Sequence, residues 1–459
     1  MTDLTQATAV ELSSLYQAGT ASPVTVVEQA LAKIERLNPV LNAFCFTDPD
    51  TTLAQAQASE QRWRQGQPWS KLDGVPFAVK DSILTQGWPT LHASLAVDAD
   101  QPWPEDAPSV ARLREAGAVF VGKTTMSEFG SAEHHSNSLR YGNVCNPWNL
   151  SHTPGGSSGG SAVAVAAGMV PVALSTDFGG SIAVPSAFCG IFGMKPSTGR
   201  VPQWPVDPLE LSAVGPVARS TDDIALVMNI ITKPDVRDGT GLPYNNVDYT
   251  EIFNNGFYGK RVACINSIKG AEVNTEIIKY LEFQKSQIDF ISLDFEIVSE
   301  ILAKLAESKL LHQWLHIPKE HRHLAGRDVQ YRAILAHRPD NVHAQLINRH
   351  KLISQMREIM QSYDVLIGPA IDSNRQTGTA KHISPLSVFF SITKQPTITV
   401  PIGIDHNGMP QSVMIAGAMH DDIGILQVAN AMEKQFPMPH PPLFYSKGPL
   451  CKNEILKNA

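Results

Sequence analysis

Two glycine- and serine-rich segments, separated by small apolar residues, constrain this chain more than any other feature of its sequence. The first segment reads GGSSGGS over residues 155–161, and the second reads GGS over residues 179–181. Glycine lets a backbone approach another group closely, in conformations that a Cβ would obstruct. A serine on such a turn, beside backbone N–H groups that can point at an anion, is typical of acyl-transfer sites.

A flexible linker is the alternative interpretation of these segments. Linkers are not followed, however, by a run as rich in alanine and valine as residues 162–172. The part of this run up to Gly168 predicts a tightly packed, buried helix. The sequence therefore favours a site built on two glycine turns.

Length, charge and cysteine usage exclude several classes of protein. The chain has 459 residues, and its formal charge of −7 is spread without long runs of one sign, so no nucleic-acid footprint is visible. Five cysteines without CxxC spacing argue against a disulfide or zinc framework. The amino terminus does not read as a signal peptide, and no run approaches the ~18 apolar residues of a membrane span. We expect a soluble, cytoplasmic protein without nucleic-acid or membrane partners.

Hydrophobic periodicity predicts an α/β protein in which helices and strands alternate. In the first half, helices are predicted at 4–18, 23–37, 51–65 and 107–117, and strands at 72–81 and 119–122. Beyond a turn-rich connection at 232–260, strands are predicted at 261–266, 289–293, 364–369, 397–402 and 412–415, and helices at 271–285, 297–316, 342–362 and 422–435. We expect the strands of both halves to form one sheet with helices on its faces.

Several ordered segments together resemble the amidase signature family. They are GVPFAVKD (74–81), GKTTMSEFG (122–130), NPW (146–148), TPGGSSGGSA (153–162), STDFGGSIAVPSAFCGIFGMKPSTGRVP (175–202) and VGPVARS (214–220), with looser matches at PTITVPIG (396–403) and QSVMIAG (411–417). The resemblance is good over residues 5–230 and weak in the second half. It implies a single domain over 1–459, with a mixed central sheet enclosed by helices on both faces. The core motifs would lie in 70–220, and a variable half at 260–440 would complete the sheet and the substrate pocket.

The resemblance implies a Ser–Ser–Lys triad in which the middle serine carries a cis peptide bond. The nucleophile falls on Ser181, the relay serine on Ser157 and the base on Lys80. A serine hydroxyl is a weak nucleophile unless a base takes its proton. A lysine can be that base only when neutral, which requires burial, and Lys80 ends an apolar strand where burial is expected. A hydroxyl both accepts and donates, so Ser157 can connect the two.

The same resemblance assigns roles to the residues around the triad. The oxyanion hole would be formed by the backbone N–H groups of Phe178, Gly179, Gly180 and Ser181; Thr176 and Asp177 would brace that turn; Ser158 would support the cis-serine loop; and Gly130 would line the substrate site with Ser157.

The chain departs from the family pattern at Ala183, two residues after the nucleophile, where the family commonly has arginine. We therefore expect Asp177 to have a different partner. The departure also leaves open the alternative that the chain is a non-catalytic relative of the family that binds a ligand or a partner.

Each motif has another interpretation when it is taken alone. Lys80 and Asp81 could form a surface ion pair, and Ser157 could cap the following helix. The pattern GSSGG also contains a serine elbow centred on Ser158, which would need a downstream acid and a histidine. The histidines that could be nominated are His312, His316, His420 and His440, and none has a distinctive sequence context.

A zinc site is a further alternative, because His312 and His316 are spaced i, i+4 on a predicted helix. The segment lacks the glutamate of an HExxH motif, so we expect no metal there.

These features together predict an amidohydrolase that cleaves a carboxylic amide through a serine acyl-enzyme and releases ammonia or an amine. No metal and no organic cofactor are expected. The expected partner is a small-molecule amide, and a homodimer is left open. The alternative within the family is the glutaminase-type A subunit of a tRNA-dependent amidotransferase.

Overall fold

Regular helices and strands follow the predicted alternation in the computed structural model of the chain. The structure describes residues 3–130, 136–253, 256–265, 275–293, 296–336, 342–371 and 385–445. Within these residues, the strands are β1 (Phe44–Thr47), β2 (Pro76–Lys80), β3 (Val119–Thr124), β4 (Asn137–Ser138), β5 (Gly142–Asn143), β6 (Val172–Asp177), β7 (Phe192–Lys195), β8 (Ala213–Ala218), β9 (Arg261–Ile265), β10 (Gln287–Ile291), β11 (Val365–Pro369), β12 (Thr397–Ile404) and β13 (Pro410–Gly417).

Helices connect these strands. They are α1 (Ala9–Gln17), α2 (Pro23–Leu41), α3 (Pro49–Arg64), α4 (Pro108–Glu115), α5 (Gly159–Ala166), α6 (Ala183–Cys189), α7 (Thr221–Ile231), α8 (Thr275–Phe283), α9 (Glu296–His316), α10 (Arg327–Ala336), α11 (Val342–Ser362), α12 (Pro385–Ile392) and α13 (Asp422–Gln435). Short 3-10 turns lie at Leu4–Gln6, Glu128–Gly130, Lys319–Leu324 and Pro442–Tyr445. No described helix is both long enough and apolar enough to cross a bilayer.

Eleven of the described strands form one mixed sheet. Their order is β1-β3-β2-β6-β8-β7-β12-β13-β11-β9-β10, and β4 pairs with β5 in a separate hairpin. β3, β2 and β6 run parallel to one another, as do β11, β9 and β10, whereas the strands between β6 and β11 pair antiparallel. Strands of the two halves meet where β7 pairs with β12, which confirms the predicted α/β class with one sheet.

Both faces of the sheet are covered, because alternate residues of one strand enter different hydrophobic clusters. Phe77 and Val79 of β2 pack in the cluster that includes α1, α4, α7, α8 and α13, whereas Ala78 packs against α2 and α5. In the second half, Leu366 of β11 and Met414 of β13 pack against α9, α11 and α12. This follows from the period of two along a strand, which points successive side chains to opposite faces.

The local signals predict helix ends well. Ser22 caps α2 by accepting from the Thr25 amide at 3.3 Å, and Pro23 occupies the first helical position. Gly117 follows α4 with a φ of +87°, a backbone conformation that favours glycine. All eight residues of α5 are buried, as the run of small residues predicts. The first four residues of the helix predicted at 271–285 lie outside the described part of the chain.

Candidate active site

Two parallel neighbouring strands end side by side at the site. β2 ends at Lys80 and β6 ends at Asp177, and the carboxyl ends of parallel neighbours meet at one edge of a sheet. The loop before α5 brings Ser157 to this edge, and the turn after β6 brings Ser181. Two adjacent strands and two glycine turns thus bring residues from four segments together.

Lys80 is fully buried, and its Nζ lies 2.8 Å from Ser157 Oγ. The same Nζ donates to the carbonyl of Thr176 at 3.2 Å. Burial lowers the pKa of Lys80 to about 7, with Asp177 opposing the shift and Lys309 adding to it. At that pKa a large fraction of the side chain is a neutral amine near neutral pH, which is the form that can accept a proton.

The surface ion pair considered for Lys80 and Asp81 is wrong, because both side chains are buried. Asp81 instead accepts from the amides of Leu91 at 3.0 Å and Ala93 at 2.8 Å, and so holds the loop that follows β2.

The loop that carries Ser157 has a cis peptide bond between Gly156 and Ser157, as the resemblance implied. Ser158 is the residue before α5, and its hydroxyl donates to the Thr176 carbonyl at 3.2 Å. The alternative of Ser157 as the helix cap is therefore wrong. The hydroxyl partner of Ser158 among the described residues is not a histidine, so the arrangement does not support a serine elbow.

A residue that the sequence did not single out supports this loop. Ser136 Oγ lies 3.0 Å from the carbonyl oxygen of Gly155 and 3.3 Å from that of Ser157, and it accepts from the amide of Gly159 at 2.8 Å. A Cβ at position 159 would lie 2.2 Å from Ser136 Oγ, which explains the glycine. The contact joins segments on either side of β5, so no local sequence pattern reveals it.

The turn between β6 and α6 offers backbone donors beside Ser181. The amide of Gly180 donates to Asp177 Oδ1 at 2.7 Å, so this donor braces the turn. The amides of Phe178, Gly179 and Ser181 make no hydrogen bond with the described residues, and all three residues line the cavity. Three of the four predicted donors are thus available to a ligand, and the fourth has a structural partner.

Asp177 is buried and has three donors without an arginine. Besides Gly180, the amide of Ile182 donates to Oδ2 at 2.6 Å, and Ser391 donates to Oδ1 at 3.1 Å. Ala183 is 3% exposed and belongs to an apolar cluster. The expected change of partner is therefore seen in the contacts of Asp177, and Ser391 supplies the side-chain donor.

Some of the site residues line a cavity of about 1680 Å³. Ser157, Thr176 and Ser181 form part of its wall, and Gly130 lies beside them. A Cβ on Gly130 would lie 3.5 Å from Ser157 Oγ, so the glycine leaves room next to the proposed relay serine. The cavity can therefore admit a small organic substrate to the serines.

Two basic side chains that line the cavity, His92 and Lys309, have no role predicted from the sequence. Burial lowers the pKa of His92 to about 4, helped by the charges of Lys123, Lys309 and Lys80, so its imidazole is neutral at physiological pH. Lys309, from α9, lies over the ring of Phe178 with its Nζ 4.3 Å from the centroid. Nothing in the local sequence of either residue indicates this position.

The histidines weighed as alternatives do not join the serines as catalytic partners. His312 and His316 line the cavity, and the Nδ1 of His316 lies 2.8 Å from the His312 carbonyl. His440 stacks on Phe444 with a centroid separation of 3.9 Å. Over the described ranges, no three His, Cys, Asp or Glu side chains converge as metal ligands would.

A family model described as Amidase matches residues 25–426. The chain belongs to the amidase family. The match spans most of its length, so the family predicted from the motifs is confirmed. As an amidase, the protein is a hydrolase of amide C–N bonds.

Curated relatives of this amidase include components of a larger enzyme. It is 32% identical to the A subunit of glutamyl-tRNA(Gln) amidotransferase from Chloroflexus aggregans, over 95% of this chain and 97% of that protein. It is also 32% identical to the corresponding protein of the same name from Methylococcus capsulatus, over 93% and 96% of the two chains.

Solved structures share the fold of this amidase. A bacterial aryl acylamidase of the amidase signature family superposes with a TM-score of 0.87 at 24% identity, covering 96% of this chain and 99% of that one. The native peptide amidase from Stenotrophomonas maltophilia gives a TM-score of 0.83 at 25% identity, with coverage of 96% and 99%. The predicted mixed sheet enclosed by helices is confirmed.

Proposed function

We propose that this amidase cleaves a carboxylic amide through a serine acyl-enzyme, with Ser181 as nucleophile, Ser157 as proton relay and Lys80 as base. One observation carries the proposal: the fully buried Nζ of Lys80 lies 2.8 Å from Ser157 Oγ, on the wall of the cavity that Ser181 also lines. A neutral lysine at this position can accept the hydroxyl proton of Ser157 directly.

The reaction begins when Ser181 Oγ attacks the amide carbonyl. Its proton passes to Ser157, and Ser157 gives its own proton to neutral Lys80, so two proton transfers together place one positive charge on the lysine. The amides of Phe178, Gly179 and Ser181 are the candidate donors to the oxyanion. The Gly180 amide and Asp177 keep the turn in shape.

The tetrahedral intermediate collapses when the C–N bond breaks. The protonated relay returns its proton to the departing nitrogen, which leaves as ammonia or an amine. A water molecule then attacks the acyl-enzyme, with the same relay taking its proton. The carboxylic acid is released when the bond to Ser181 Oγ breaks, and the relay returns the proton to that oxygen. The cycle needs no redox partner, because each step only moves protons and an acyl group.

We further propose that residues 260–440 determine which acyl group fits. Side chains from this half, including Leu302, Lys309 and Val388, line the same cavity as Ser181. Since motifs in 70–220 carry the chemistry, variation in the second half changes the substrate without changing the reaction.

A glutaminase role within a tRNA-dependent amidotransferase is the second candidate. It is favoured by the 32% identity to amidotransferase A subunits over nearly the whole chain. The apolar side chains that line the cavity beside Ser181, among them Phe178, Leu209 and Leu302, suit a hydrocarbon segment of the substrate rather than the charged α-amino group of glutamine.

Amine and ammonia release over a panel of alkyl amides, aryl amides, urea-like compounds and glutamine tests the proposal. We expect turnover of at least one simple amide by the isolated chain, and its loss in Ser181→Ala with the thermal unfolding temperature unchanged. Ser151→Ala, at an exposed serine, is the matched control. Glutamine hydrolysis that requires copurified partners would favour the amidotransferase role. Ligand binding without any turnover or covalent labelling would favour the non-catalytic relative.

A further inference from the structure

A basic side chain from the second half of the chain lies next to the turn that carries Ser181. Lys309 lines the cavity wall, and its Nζ is 4.3 Å from the ring centroid of Phe178, at the start of that turn. Its deep position lowers its pKa, whereas the carboxylates of Asp207 and Asp177 favour the charged form.

The ammonium of Lys309 has donors without an acceptor among the residues that the structure describes. Within the described residues it donates to the hydroxyl of Ser212 and contacts the Phe178 ring, and it has no carboxylate within ion-pair distance. An ammonium carries three N–H donors. Two of them have no hydrogen-bond acceptor in the described part of the chain and can serve a ligand that enters the cavity.

Asp207 is the nearest candidate for an internal counter-ion, but its oxygens already have partners. Oδ1 accepts from the amide of Leu209 at 3.1 Å. Oδ2 accepts from the amides of Leu211 at 3.2 Å and Ser212 at 2.8 Å. These bonds fix the loop before β8 and hold Asp207 out of direct contact with Lys309.

Two other acidic side chains of the cavity wall are paired with cations of their own. Glu307 contacts Lys304 at 3.2 Å, and Asp328 contacts Arg332 at 3.0 Å. Neither pair includes Lys309. Asp177, a further carboxylate of the wall, is held by two backbone amides and the Ser391 hydroxyl. Lys309 therefore presents a positive group to the cavity near Ser181 without an ion-pair partner among the described residues.

We propose that Lys309, together with Ser212, binds a carboxylate of the substrate, so that the preferred substrates are amides that also carry a carboxylate. The inference rests on the proposed function of Ser181 and names its substrate class. An ammonium and a hydroxyl together match a carboxylate, which accepts at two oxygens, and charge-assisted bonds of this kind are stronger than neutral ones. The apolar wall at Leu302 and Val388 suits a hydrocarbon spacer between the two functional groups.

The test compares the monoamides of succinic, glutaric and adipic acids, and N-acyl amino acids, with neutral amides of the same chain length. We expect the parent to favour at least one carboxylated compound by about 10- to 100-fold in kcat/KM. Lys309→Met should abolish this preference, and Lys309→Arg should keep part of it. Lys351→Met, which removes a charge from an exposed site on α11, is the control and should keep the preference in full.

Lys309 also acts on the charge of Lys80, because its own charge lowers the Lys80 pKa. Rates are therefore compared at the lowest pH of each plateau, where Lys80 is neutral in each variant and deprotonation of Lys309 is least. Equal loss on neutral and carboxylated amides at that pH would show that Lys309 only supports the Phe178 turn, and would overturn the inference.

Binding to the Ser181→Ala chain gives a readout that does not depend on turnover. Calorimetry with the best carboxylated amide should show a Kd about 10- to 100-fold weaker when Lys309→Met is added. An unchanged Kd would overturn the carboxylate site while leaving the proposed chemistry intact. Equal turnover by Ser181→Ala and the parent would instead disprove the proposed role of Ser181. The calorimetry would still test whether Lys309 binds a carboxylate.

Discussion

The amide of Gly180 donates to Oδ1 of Asp177 at 2.7 Å, so a buried carboxylate holds the turn that presents the proposed nucleophile. A glycine is required there because its φ is +112° and a Cβ would lie 2.4 Å from Ser387 Oγ. Asp177 also accepts from Ile182 and Ser391, and these bonds satisfy it without the arginine common in the family. The turn thus has its support although position 183 is alanine.

Restoring arginine should not improve this protein. Ala183 is 3% exposed and packs in a cluster that includes Leu211 and Leu386, and overfilling a packed core typically costs about 1–3 kcal/mol. We expect Ala183→Arg to lower the Tm in a thermal unfolding experiment, with no gain in amide turnover. Ala58→Arg, at an exposed site on α3, is the control and should leave the Tm nearly unchanged. A joint rise in Tm and turnover would mean that Asp177 lacks a partner in the natural chain.

The pH dependence of kcat/KM should report the titration of Lys80. Burial lowers the pKa of this lysine to about 7, and only the neutral amine can accept a proton. Activity should therefore be constant above that pKa and fall about tenfold per pH unit below it, since protonation removes the base. A rate that rises as the pH falls through 7 would contradict this role.

Substitutions of Lys80 distinguish a role as proton acceptor from a role as a fixed positive charge. Lys80→Ala should lose several orders of magnitude in kcat, because residues that act as a unit fail together. Lys80→Arg should be equally inactive, since a guanidinium stays protonated. Lys71→Ala, at an exposed lysine, is the control for charge removal and should retain full activity. Substantial turnover by the arginine variant would refute the relay.

Ser136 should matter for turnover although the proposed relay does not include it. Its hydroxyl contacts the carbonyls of Gly155 and Ser157 and the amide of Gly159, so it fixes the loop around the relay serine. We expect Ser136→Ala to lower kcat by roughly tenfold or more, with a modest loss of Tm, because three buried polar contacts are left incomplete. Ser151→Ala, at an exposed serine, is the matched control. An unchanged kcat would show that the loop holds its shape without this contact.

Hydrophobic periodicity and turn residues correctly predicted several of the helices and strands. The helix predicted at 422–435 is α13 (Asp422–Gln435), and the strand predicted at 397–402 begins at the first residue of β12. The sequence analysis missed α6, a seven-residue helix that contains Pro185, because such a short helix depends on tertiary packing rather than on propensity. It also missed β6, β7 and β8, which lie in segments dominated by the signature motifs.

Only the site residues that lie within the signature motifs could be predicted from the sequence. The motifs placed Lys80 near Ser157, and the structure gives their 2.8 Å separation. Ser391 and Lys309 come from α12 and α9, and their approach to the turn depends on the order of strands in the sheet. Contacts of this kind follow from tertiary packing and leave no local sequence signal.

Covalent labelling with a fluorophosphonate tests the role of Ser181 most directly. The reagent needs an activated serine, and peptide mapping by mass spectrometry locates the phosphonyl group on one residue. We predict a single adduct on Ser181 in the parent, its absence in Ser181→Ala, and strongly slowed labelling in Lys80→Ala. An adduct on Ser158, or labelling of Ser181→Ala at the parent's rate, would contradict the Ser181–Ser157–Lys80 relay.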